Sequence, residues 1–303
     1  MNLIKYKNWY FLFSALLILP GLFFLFYSGL KPSIDFTGGS ETEFEISKAK
    51  KTISAKDIQD IIQNEVSVST VRLTSPNTFV VRTQPLSNAE KARMLSHVKV
   101  KYPSVSEKSF ETIGATIGSE TEANALKAVV IASIAITFYI AFAFRKVSNP
   151  VASWKYGVAA VIALLHDVLL VVGVFAILGY FFHVEIDSLF ITALLTVMGF
   201  SVHDTIVVFD RIRENLKKDA RLPFELIVNN SMLETLNRSL NTSVTVVLVL
   251  FMLLLFGGAS TQWFIVALLV GVVSGTYSSI FNASPLLVLW YEFDKKRQKK
   301  IKI

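Results

Sequence analysis

Cysteine is absent from all 303 residues. That excludes disulfides, thiolate metal sites and a cysteine nucleophile, and it leaves the redox compartment open. Signature motifs of enzymes are missing too. There is no HExxH zinc pair and no GxxxxGK[ST] phosphate loop. A GxSxG nucleophile elbow fails, because the position after Ser201-Val202 is His203 instead of Gly. Ser201 and His203 also point to different sides of a helix. The sequence therefore gives no support to an enzyme, a resident cofactor or a metal site. Low-complexity linkers and internal repeats are absent as well.

What is present is apolar. Hydrophobic residues make up 52% of the chain, 24 of them Phe, and the mean hydropathy is +0.52. Several runs reach the roughly 20 apolar residues that a bilayer crossing needs, so the chain reads as a polytopic membrane protein. Six spans are expected, over 9–30, 125–144, 156–180, 187–209, 240–256 and 263–290. The first has too long an apolar run for a secretory signal and no small-x-small cleavage site, which predicts an uncleaved anchor.

The net charge of +7 does not imply nucleic acid, because the basic residues sit beside membrane ends as orientation signals do. Lys5 and Lys7 precede the first span; Arg145, Lys146 and Lys155 follow the second; Arg211, Arg213, Lys217, Lys218 and Arg221 follow the fourth. A basic tail, 295–300, follows the sixth. Loops 181–185 and 257–262 contain no Lys or Arg. Both termini are expected in the cytoplasm. The domain plan is then 1–30 for the N-terminus and first helix, 31–124 exported, 125–290 for the remaining bundle with a cytoplasmic loop at 210–239, and 291–303 for the tail.

The exported stretch predicts a ferredoxin-like α+β domain of order βαββαβ. Strand alternation appears at 41–46. Ser54 caps a first helix, and Ser87 with Glu90 forms a capping box for a second. A hairpin is expected around Ser75-Pro76-Asn77, and a last strand over 108–117. Asp35, Gly38 and Gly39 form the expected hinge after the first span, since paired glycines permit a tight turn. In the cytoplasmic stretch, Pro223 breaks the chain and 224–228 has the pattern of an interfacial helix.

Polar groups within the spans are the strongest functional signal. Asp204 lies about six residues, or some 9 Å, inside the fourth span. A carboxylate there costs several kcal/mol by most estimates and commonly serves ions or protons. Glu234, Arg238, Asn241 and Thr245 share one face of the fifth span, which makes Arg238 the natural counter-charge. A static buried ion pair is the alternative. His203 is rotated about 100° from Asp204 and ranks as relay or support, with Asn241 and Thr245. His166 and Asp167 lie at midplane, where a wet path and a helix-to-helix hydrogen bond are both open readings. Gly271 to Gly275 is a GxxxG packing element, with Ser274 and Ser278 repeating the pattern. Ser279, Asn282 and Pro285 suggest a kink.

Several strings resemble SecF, the smaller membrane subunit of the SecD–SecF accessory complex of bacterial protein export. They are Ile34-Asp-Phe-Thr-Gly-Gly39, Leu165-His-Asp167, the run from Gly199 to Asn215, Thr235 to Ser243 and Ala283 to Trp290. The resemblance covers essentially the whole chain. It implies half of an RND-type transporter that couples export to the proton motive force, or to sodium in some relatives, with Asp204 as the coupling carboxylate and Arg238 as its partner. Many members have Asn where His203 stands, so the resemblance carries no relay role to His203. It further implies a bacterial inner-membrane location, a SecD-like subunit, a SecYEG-type translocon and an unfolded preprotein as substrate, within the lipid bilayer. A proton-coupled RND exporter of lipids or small molecules is the alternative.

Overall fold

The computed structural model describes residues 2–47, 53–75, 77–144, 150–218 and 221–301. Pro76, Arg145 and Lys146, which entered the hairpin and orientation arguments, lie outside them. In chain order the elements begin with α1 (Lys7–Ser28), the single turn α2 (Ile34–Thr37), β1 (Gly39–Ile46), α3 (Ala55–Ile62) and β2 (Val68–Ser75). Then come β3 (Thr78–Thr83), α4 (Asn88–Lys101), β4 (Val105–Ile113), α5 (Ala115–Ala143), α6 (Ser153–Phe182) and α7 (Ser188–Lys218). The chain closes with α8 (Phe224–Phe256), α9 (Gln262–Ser278), a π-helical turn (Ser279–Ala283) and α10 (Ser284–Ile301). They form two compact units, Pro32–Leu126 and the remainder.

The smaller unit is a four-stranded antiparallel sheet of order β2-β3-β1-β4, as the expected ferredoxin-like plan requires. Along β1, Ser40, Thr42, Phe44 and Ile46 are buried, while Glu41, Glu43 and Glu45 alternate onto the other face. Phe44 and Phe79 join Ile58, Ile62, Met94 and Val98 from the two helices in one apolar core. Both helices begin with full capping boxes, Ser54 with Asp57 and Ser87 with Glu90. These hydrogen bonds hold the two carboxyls below the usual carboxylate range. The last strand starts and stops earlier than 108–117, because the chain turns at Gly114 and is already helical from Ala115. There Gly118 packs so closely that an added Cβ would lie 2.6 Å from the Gly38 nitrogen and 2.8 Å from the Phe36 carbonyl oxygen.

Among the described residues six helices are long and apolar enough to cross a membrane, the sixth running through the π turn. Half of the apolar window of α7 and 61% of that of the sixth helix are buried, against 6% for α5 and 17% for α8. The third, fourth and sixth helices therefore form the core, and the others present apolar faces outward. Close backbone approaches set the packing. Pro20-Gly21 of α1 meets Gly173 of α6, where a Cβ on Gly21 would come within 2.6 Å of the Gly173 Cα.

The interfacial helix expected at 224–228 is corrected. Residue Pro223 sits at the start of α8, which continues unbroken into the fifth span. Phe224, Ile227, Val228 and Met232 are buried, and the Phe224 ring packs tilted against that of Tyr291 at 5.0 Å. The stretch 210–239, whose sequence is helical in character, is mostly helix, shared between the end of α7 and the start of α8. Residues Asp210 and Arg213, and Arg211 and Glu214, pair at i,i+3 and carry α7 past the apolar stretch to Lys218.

Candidate functional site

Two membrane-depth carboxylates have opposite surroundings. Asp167, fully buried on α6, has every lone pair engaged. Its Oδ1 lies 3.0 Å from Nδ1 of His166 and accepts from the Ser274 hydroxyl at 2.6 Å. Its Oδ2 accepts from the Ser201 hydroxyl at 2.5 Å and the Ser278 hydroxyl at 2.6 Å. One side chain thus ties α6 to α7 and α9. Of the two readings left open for Asp167, the helix-to-helix hydrogen bond is the one this geometry contains.

The collar is possible because α9 lies hard against α7. Gly275 leaves only 3.1 Å between an added Cβ and that of Ser201. The π turn begins just below, and π bulges recur at functional sites. Ser279 donates to the Ser201 carbonyl at 3.1 Å, and its hydroxyl lies 2.9 Å from that of Thr205.

Asp204 follows three residues after Ser201 on α7 and is 3% exposed. Its Oδ2 is shut away from solvent with no hydrogen-bond partner. A buried carboxylate oxygen left unpaired is costly, and natural proteins keep few of them. Arg238 is close enough for its charge to act on Asp204, yet among the described residues no ion pair joins the two. Arg238 is exposed, as are Glu234, Asn241 and Thr245 on the same face of α8. Thr245 bonds the carbonyl of its own Thr242. His203 is exposed beside Asp204.

Below Asp204, Val207, Asp210, Arg211, Glu214, Glu234 and Arg238 line a hollow of about 350 Å³ between α7 and α8. Arg211 bridges Glu214 at 2.6 Å and Glu234 at 2.5 Å, and Asn215 donates to Glu234 at 2.9 Å. In the smaller unit, Asp35 lies in the turn capped by Ser33, whose hydroxyl accepts its backbone N–H, and Gly38 and Gly39 take φ of 70° and 129°. Those conformations are ones side chains resist.

The structure thus brings together His166, Asp167, Ser201, Ser274 and Ser278, and it leaves Asp204 and Arg238 unjoined. Sequence reasoning missed the collar. Ser274 and Ser278 were visible only as packing residues, and Ser201 only as a nucleophile; its hydroxyl donates to the Asp167 carboxylate. Among the described residues no group of three His, Asp or Glu side chains could hold a metal ion.

Comparison with known proteins adds the lineage. The family described as protein export membrane protein SecD/SecF, C-terminal, matches residues 93–293. The SecF translocase subunit of Thermobaculum terrenum is 45% identical over 97% of this chain and 95% of its own length. That of Anaerolinea thermophila is 41% identical over 96% and 94%. The SecDF crystal structure from Thermus thermophilus superposes with a TM-score of 0.81 at 32% identity, covering 96% of this chain and 38% of that one. A match nearly end to end with separate SecF subunits, and to little more than a third of SecDF, places this membrane protein in the SecF family of protein translocase subunits.

Proposed function

We propose that the chain couples the proton motive force to a late stage of preprotein export, with Asp204 as the carboxylate that binds and releases the proton. The observation that carries this is the contrast between the two buried acids. Asp167 has no vacant lone pair, whereas Asp204 keeps an unpartnered oxygen one turn from a charged hollow. An unpartnered carboxylate can take a proton without dismantling a network.

Arg238 serves as the counter-charge that pairs with Asp204 when the proton leaves. The exposed face of Glu234, Arg238, Asn241 and Thr245 is polar at membrane depth, and such a face turns to protein or water instead of lipid. A SecD-like subunit supplies that second half, in keeping with transporters built from two repeats with their site between them. In this reading the chain is a multi-pass protein of the bacterial inner membrane with cytoplasmic termini. Its smaller unit is exported, with 35–39 as the hinge, and it works beside a SecYEG-type translocon on unfolded polypeptide. The names of the relatives favour this over an exporter of lipids or small molecules.

The test is Asp204→Asn in vesicles holding the assembled complex. Assembly with the partner is expected to survive, while export loses its response to collapse of the proton gradient. A variant whose export still responds as the parent does would remove Asp204 from the coupling step.

A further inference from the structure

An ionised carboxylate offers about four acceptor sites and no donor. Asp167 uses four, two on each oxygen. Since its Oδ1 can only accept, Nδ1 of His166 carries the hydrogen and donates it. In the neutral ring the other nitrogen, Nε2, is then bare and an acceptor. His166 is 8% exposed, and its Nε2 is buried with no hydrogen-bond partner. A carboxylate orienting one imidazole nitrogen and leaving the other empty is the arrangement of a general base.

We propose that Nε2 of His166 is a second proton-binding atom of the membrane unit, set up as an acceptor by Asp167 and separate from Asp204. Uptake takes a proton from hydronium: the Nε2–H bond forms, the O–H bond breaks and water leaves. The imidazolium then lies against the Asp167 carboxylate, so the pair passes from one net negative charge to none.

The groups around the ring fit such a site. On α6 the titratable neighbour is Asp167. On α9 it is Tyr277, whose ring centre is 6.3 Å away and whose hydroxyl donates to the Tyr10 carbonyl of α1 at 2.9 Å. Ser14 and Asn282 continue this polar seam between α1 and the π turn. The α7 helix contributes Ser201, with Asp204 three residues on. The assignment deepens the coupling reading, but its test does not depend on export.

The chain has four histidines, so ¹⁵N-imidazole labelling of the intact protein in lipid vesicles gives few signals. His166→Asn, which keeps an amide donor toward Asp167 and removes the ring, identifies the one that matters. The expected result is an Nδ1 that stays protonated while Nε2 passes from bare to protonated as the pH falls from about 8 to about 5. The same titration should persist in Asp204→Asn, so that failure of the Asp204 reading would leave it standing. An Nε2 protonated at every pH with Nδ1 bare, or an Nε2 bare throughout that range, would overturn the assignment.

Discussion

A Cβ built on Gly271 would stand 2.1 Å from Cγ2 of Val197. The α9 backbone therefore rests directly on an α7 side chain, and one turn later Gly275 rests on Ser201. This close approach is what lets Ser274 and Ser278 reach the same carboxylate as Ser201. Gly271→Val is expected to overpack the seam and destabilise the bundle by about 1–3 kcal/mol. Thermal unfolding of the purified chain should show a lowered midpoint, partly restored by adding Val197→Ala. A midpoint unmoved by Gly271→Val would contradict the packing.

The two buried acids should respond differently to the same substitution. Asp167→Asn replaces an acceptor by an amide donor facing hydroxyl donors, and each group left unsatisfied costs about 1–3 kcal/mol. Asp204→Asn removes an oxygen that had no partner, so stability should hold or rise. Melting both variants beside the parent checks the pair. Equal destabilisation by the two would mean that Asp204 is as fully bonded as Asp167.

Local chemistry was legible in the sequence; chemistry assembled from distant helices was not. Ser87 and Glu90 announce their capping box within four residues, and the box is there. The six spans were found because apolar length alone marks them. Their ends were not, since a helix continues beyond lipid wherever side chains sustain it, as Asp210 and Arg213 do after Phe209. Asp167 stood undecided because its donors come from α6, α7 and α9, and spacing along one helix links only Ser274 with Ser278. For Arg238, periodicity put Glu234, Arg238, Asn241 and Thr245 on one face of α8, and that face is exposed.

At one end of the bundle the Lys155 side chain is 9% exposed and pairs with Asp294, which is 41% exposed. Lys155 also lies over the rings of Trp154 and Trp290. The two partners should not be equivalent. Asp294→Ala leaves a buried cation without its counter-charge, which costs about 3 kcal/mol. Lys155→Met leaves Asp294 free to turn to water and keeps an apolar stem against the tryptophans, so its cost should be smaller. Unfolding midpoints of the two variants decide this, and the reverse order would show that the pair is not governed by burial of the lysine.

The capping boxes give the smaller unit a pH dependence of fixed sign. The Ser54 hydroxyl, then its backbone N–H, holds the Asp57 carboxyl below the usual range, and Ser87 does the same for Glu90. A carboxyl depressed in the folded state adds stability that is fully present above its unfolded value, near pH 4, and is lost as pH falls through the folded value. Amide exchange of the intact protein, corrected for intrinsic rates, should therefore show constant protection in α3 and α4 from about pH 7 to 5. Below about pH 4 protection should decline. Ser54→Ala should lower protection of α3 roughly fivefold at neutral pH and flatten its acid decline, leaving α4 unchanged; Ser87→Ala should do the converse. Acid declines that persist in both variants would trace the effect to carboxylates other than these two.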